Sequence, residues 1–261
     1  MATTKATEAF QPPLAQQRRR GLPASAALGW LAAGWRDLKI RPLDSLVYGV
    51  VVYAISVAVV WGLFALELDY ILLPALAGFM VVGPLVAIGL YAKSRAIAKG
   101  EPISLAGMLF VRPNSGGQVL FTGAILCLLM LVWMRAAVII YALFFGLRPF
   151  PGLEHVVAML FTTPVGLAML VVGTVVGGLF AAFSFAISTF SIPMLLDQKT
   201  DAFTAMGTSI SLVWNNLPVM IAWGVIVLAL FLVCVATGLL GLIVVFPLLG
   251  HATWHSYEAM K

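Results

Sequence analysis

Twenty-one consecutive positions, residues 46–66, carry no charge. About 20 predominantly apolar residues are enough for a helix to cross the hydrocarbon of a bilayer. Comparable runs recur along the chain, and their apolar residues are continuous rather than alternating. That pattern points to helices and away from the strands of a membrane barrel. Charged residues make up only 10% of the 261 and hydrophobic residues 62%, whereas a soluble domain carries about 25% charge. Too few charges remain to cover a water-facing surface, so lipid is the solvent. The expected fold is all-α, a polytopic membrane helical bundle.

The runs predict six transmembrane helices in three hairpins, at residues 46–66, 70–92, 119–146, 164–192, 219–235 and 239–257, forming one membrane domain over 25–261. Pro84 lies inside the second run, where a missing N–H and a ring clash kink a helix. Residues 156–196 form a 41-residue uncharged stretch, long for one span and short for two. Pro164 is welcome in a helical first turn, so 156–162 reads as an interfacial lead-in and 164–192 as one long span. Two spans there would reverse the C-terminus.

Residues 1–24 lack the apolar centre of a signal peptide and read as a disordered cytoplasmic tail. Three pieces read as cytoplasmic amphipathic surface helices. In the first, Leu28, Leu31, Trp35 and Leu38 share a helical face; the second spans 102–111; in the third, Phe203, Met206, Ile210 and Val213 step at helical spacing. Each precedes a hairpin and a proline (Pro42, Pro113, Pro218), which suggests an ancient three-unit repeat. Gly78, Val81, Val82, Pro84 and Leu85 align with Gly241, Val244, Val245, Pro247 and Leu248 in support of it.

Orientation follows Lys and Arg. Thirteen fall on the side of the N-terminus and one, Arg148, opposite, with Arg135 inside the membrane. Both ends are therefore expected in the cytoplasm, and the net charge of +5 reads as attraction to anionic headgroups rather than to nucleic acid. Cys127 and Cys234 fall in apolar segments and suggest neither a zinc site nor a disulfide framework.

Few residues can carry chemistry. Arg135 lies near the middle of the third span, where an arginine costs about 2.5–3.5 kcal/mol on insertion scales; it is expected to face the bundle and find a partner. No acid occupies the core of a span, so Ser184, Ser188 and Ser191 on the fourth span, backbone carbonyls near Pro164 or Pro193, or Asp197 folding inward are the candidates. Arg135, Ser184, Ser188 and Asp197 together make a candidate substrate-binding set. His251 and His255, four apart and so about 40° apart around a helix, make a candidate pair for a metal or haem iron; the alternatives are a hydrogen-bonded pair and an interfacial belt with Trp254 and Tyr257. No phosphate loop, nucleophile elbow or paired carboxylates are present, and no cofactor is otherwise expected.

Four strings resemble one bacterial family, the domain of unknown function 2189, predicted integral membrane proteins. They are Gly34-Trp35-Arg36-Asp37-Leu38; Gly83-Pro84-Leu85-Val86-Ala87-Ile88-Gly89-Leu90-Tyr91 with Ser94-Arg95; Ser191-Ile192-Pro193-Met194-Leu195-Leu196-Asp197; and Gly250-His251-Ala252-Thr253-Trp254-His255. The resemblance runs from about residue 28 to 258. It implies an inner-membrane helical protein without an assigned role. Some members carry a cytochrome c oxidase subunit label. The expected function is a non-enzymatic accessory or scaffold component of a membrane complex, with a partner protein or a second copy. Alternatives are a small-solute transporter or channel-like protein, and a haem- or metal-binding oxidase subunit.

Overall fold

The computed structural model describes residues 18–146 and 152–261, apart from the side chains of Leu153 and Glu154. Residues 1–17 of the tail, and Arg148 in the orientation count, lie outside them. The described chain is helical throughout: α1 (Ala26–Lys39), α2 (Pro42–Ala65), a 3-10 turn (Asp69–Ile71), α3 (Leu72–Val86), α4 (Ile88–Lys99), α5 (Leu105–Leu109), α6 (Gly116–Phe145), α7 (Leu153–Thr162), α8 (Pro164–Asp197), α9 (Ala202–Asn215), α10 (Leu217–Ala236) and α11 (Leu242–Met260). Among the described residues five helices are long and apolar enough to cross a membrane: α2, the stretch Asp69–Lys99, α6, α8 and α10.

The 156–196 stretch contains one long helix. Thr163 caps it, its hydroxyl accepting from the Gly166 N–H, with Pro164 in the first turn. Thirty-four residues then run unbroken through Asp197, on the order of 51 Å at the helical rise. Near its end Ser209 of α9 bridges the backbone ladder. The Phe190 N–H donates to Ser209 Oγ at 3.1 Å, and that hydroxyl donates to the Ala186 carbonyl at 2.6 Å.

Pro84 acts as expected. The helix it sits in stops at Val86 and restarts at Ile88, with Ala87 between. Tyr48 of α2 donates its hydroxyl to the Val86 carbonyl at 2.6 Å, satisfying an acceptor at the break.

The first two apolar helices do not pair with each other, whereas α6 packs on α8 and α8 on α9. α2 packs along α11 and scarcely touches α3, while α3 packs on α6 and α8. Between α2 and α3 lies an apolar cavity of about 410 Å³, walled by residues such as Ile55, Val59, Ala75 and Phe79. α11 runs through the middle, against α1, α2, α4, α8 and α10. It is not among the five strongly apolar helices because its second half carries His251, Thr253, His255, Ser256, Tyr257 and Glu258. That half is wrapped by protein: His251, Trp254, Ser256 and Tyr257 are all buried. A central helix can therefore be polar where its neighbours cannot.

The surface-helix reading needs correction in its faces. α1 docks on α11 through Ala27, Trp30, Ala33, Gly34 and Leu38, leaving Leu28 and Trp35 exposed. Close packing of helices favours small side chains, so the alanine and glycine face goes inward rather than the leucine stripe. A Cβ on Gly34 would lie 2.6 Å from the Ala252 nitrogen, and Trp30 meets Trp223 edge to face at 5.9 Å. On α9 the expected stripe splits, with Met206 and Val213 buried and Phe203 and Ile210 exposed. The second piece shrinks to the five residues of α5.

Residues 18–24, read as disordered tail, are also held. The Arg20 N–H donates to Asn216 Oδ1 at 2.8 Å, Arg20 Nε donates to the Met260 carbonyl, and Asn216 Nδ2 donates to the Arg18 carbonyl.

Candidate functional site

The chemically richest place is one end of the bundle, where α1, α2, α4 and α11 meet. Asp37 comes from the last turn of α1, Ser45 from the first turns of α2, Lys93 and Ser94 from α4, and His251 and His255 from α11. Lys93 is 1% exposed, His251 0% and Asp37 6%. Charges buried this deeply are costly unless paired and hydrogen-bonded. Here they form one chain.

Lys93 Nζ donates to Ser45 Oγ at 2.7 Å and to the Arg41 carbonyl at 3.1 Å. Ser45 Oγ lies 2.9 Å from His251 Nε2. His251 Nδ1 lies 2.8 Å from Ser94 Oγ. Ser94 Oγ donates to Asp37 Oδ2 at 2.6 Å, and His255 Nε2 meets the same oxygen at 2.9 Å. Arg41 has a left-handed backbone, φ 51°, and its carbonyl is the one Lys93 holds.

The direction of the chain follows from donor capacity. An ammonium only donates, and a hydroxyl has one hydrogen to give. Ser94 spends its hydrogen on Asp37, so it accepts from a protonated His251 Nδ1. Ser45 accepts from Lys93 and has its own hydrogen free for His251 Nε2. A second cation at His251, two links from the Lys93 ammonium, is disfavoured at such burial. His251 is thus a neutral ring carrying its proton on Nδ1. Both its nitrogens lie against serine hydroxyls. His255 is joined to it through Asp37 and Ser94 rather than across a shared ligand position. Among the described residues, no three His, Cys, Asp or Glu side chains gather as a metal-binding group.

Burial is the largest influence on Asp37 and by itself raises its pKa. Hydrogen bonds from His255 and Ser94, with the nearby histidines, outweigh it and hold the carboxyl below its ordinary 3.8.

Asp197 closes α8 beside this chain. Its carboxylate accepts from Tyr257 at 3.2 Å and faces Lys261 at 3.5 Å. The α8 carbonyls that lack helical partners are taken by Asn114, Ser115 and Arg95. Asp197 therefore ties the end of α8 to the end of α11. Asp201 caps α9, accepting from the Thr204 N–H at 2.9 Å.

The other candidates are not brought together. Ser184 and Ser188 are buried on α8 and line an internal cavity of about 120 Å³ with Tyr91, Trp223 and Thr253. Ser184 donates to the Phe180 carbonyl of its own helix, and Ser191 Oγ is buried without a partner. Arg135 faces away from all of them. It is exposed, because α6 packs through Val119, Thr122, Gly123, Leu126 and Trp133, and Arg135 lies on the opposite side of that helix.

These features define an all-helical integral membrane protein whose interior ionisable groups are held by one another. Residues 72–197 match the model of a family described as Predicted integral membrane protein (DUF2189), the family that the four strings resemble. No curated protein and no solved structure matches the chain. Two of the strings lie within the matched segment and two outside it, yet space joins them. Gly34 packs on Ala252, Asp37 meets His255 and Ser94, and Arg95 holds Leu196. Asp37, Ser45, Lys93 and Ser94 were not recognised as site residues from sequence, although Asp37 and Ser94 stand in the strings. Lys93 enters the sequence reading only as one of the thirteen basic residues that set orientation.

Proposed function

We propose that this protein is a non-enzymatic accessory or scaffold component of a membrane assembly. The observation that carries the reading is how the polar chain spends its groups. Both nitrogens of His251, the hydroxyls of Ser45 and Ser94 and a carboxylate oxygen of Asp37 are engaged with one another. A site that turns over or carries a substrate needs lone pairs or protons free to meet it. This one clamps the α1 helix and the start of α2 onto α4 and α11.

In this reading α2, α3 with α4, α6, α8, α10 and α11 are six spans in three hairpins. α11 crosses in the middle of the bundle, with its polar second half sheltered by α1 and α2. In the same reading both termini lie in the cytoplasm of a bacterial cell, with α1 and α9 at the inner face of the inner membrane, which the excess of basic residues on that side supports. The exposed Phe203, Ile210 and Trp214 of α9 suit contact with that face.

Native mass measurement of the protein extracted in a mild detergent tests the assembly reading. A particle containing stoichiometric other polypeptides is expected. A particle of this chain and lipid alone, with turnover or uptake of a solute by the purified protein, overturns it. A tag at Lys261 accessible only from outside the cell overturns the six-span topology.

A further inference from the structure

The fold buries Asp37, Lys93 and His251 and hydrogen-bonds all three, but it leaves Arg135 out. Among the described residues no hydrogen bond or ion pair reaches its guanidinium, and it is exposed. Its surroundings on α6 are apolar and equally exposed: Leu128, Leu131, Val132 and Ile139. Nineteen residues separate it from Gly116 and ten from Phe145, roughly 28 Å and 15 Å along the axis. It therefore sits within the hydrocarbon, where an unpaired charge is costly.

Three remedies exist. The first is reaching the headgroups. Helical side chains lean toward the helix N-terminus, which for α6 is the distant end at Gly116; the nearer headgroups lie behind the side chain. The second is an acid from the same chain. Every described Asp and Glu near a span stands at its end: Asp44, Glu67, Asp69, Glu101, Asp197 and Glu258. A second copy would bring a second arginine to this face and no acid, so like charges would meet.

The third remedy is a carboxylate on another protein. We infer that the outer face of α6 binds a membrane helix of a different protein, one that carries an Asp or Glu at the depth of Arg135. The exposed leucine, valine and isoleucine side chains supply the packing, and the guanidinium supplies a bidentate pair with the acid. This rests on the reading of the protein as part of a membrane assembly, and it names the chemistry of the partner.

A photo-crosslinking residue placed at Leu131 or Ile139, one turn either side of Arg135, tests this in native membranes, with Ile55 on α2 as the control position. The expected adduct joins both α6 positions, but not Ile55, to one other polypeptide with an Asp or Glu in its apolar segment. Arg135→Gln should lower its yield by more than about tenfold. Arg135→Glu combined with acid→Arg in the partner should restore it. Arg135 makes no contact that the fold needs, so the variants should keep the melting behaviour of the parent. Adducts with lipid only, adducts with a second copy, or an adduct indifferent to Arg135→Gln each overturn the inference. If the extracted particle still contains other polypeptides, the assembly reading survives that failure; if it contains none, both fall.

Discussion

Asp37→Ala is expected to destabilise the protein by about 3 kcal/mol, the scale seen when one partner of a buried charged network is removed. The loss is not one hydrogen bond. Ser94 loses its acceptor, His255 loses its partner at 2.9 Å, and the Lys93 ammonium, 1% exposed, loses the carboxylate at the far end of its chain. Asp37→Asn keeps an acceptor oxygen for Ser94 and should fall between the parent and the alanine variant. Thermal or denaturant unfolding in a fixed detergent measures both.

The same residue sets an acid limit. Asp37 titrates below 3.8 in the folded protein, so its stabilisation is fully present above the unfolded value, about 3.9. It is lost as pH falls through the lower folded value. The parent should therefore lose stability on acidification below about pH 4, and that loss should shrink in Asp37→Asn.

Gly34→Leu should be at least as damaging, about 3 kcal/mol at the upper end of overpacking costs. The atoms that a side chain would meet are the Ala252 nitrogen at 2.6 Å and its Cβ at 2.8 Å, helix backbone and a methyl group that cannot swing aside. α1 would have to lift from α11 and take Asp37 out of the polar chain with it. A cysteine replacing buried Leu38 reports the movement. It should resist maleimide in the parent background and label readily beside Gly34→Leu, whereas equal protection in both would show that the crossing tolerates the side chain.

Five of the expected spans coincide with long apolar helices, because hydrophobic continuity is a local property, readable over about 20 residues without knowing any neighbour. Pro84 and Pro164 marked real features for the same reason: proline acts on its own helix. What stayed hidden is non-local. Nothing in residues 239–257 says that they run through the centre, and their histidines looked interfacial because protein shelter on every side leaves no local trace. The docking of α1 is hidden in the same way, because the contact that decides it is a glycine against Ala252, 218 positions away. Lys93 looked like one more positive charge at a membrane boundary. Its burial depends on Ser45, which an uncharged serine at the start of a span gave no reason to single out. Arg135 shows the converse, since cost alone predicted an inward side chain and the packing of Leu126 and Trp133 turned it outward.

The histidine nitrogen signals of the ¹⁵N-labelled protein, assigned by comparison with His251→Gln and His255→Gln, test the polar chain most directly. At neutral pH His251 should appear as a single neutral tautomer, Nδ1 protonated and Nε2 bare, insensitive to added divalent metal. A ring protonated at both nitrogens, the opposite tautomer, or a metal-shifted Nε2 would contradict the direction of the chain, and with it the case that these groups lock helices together.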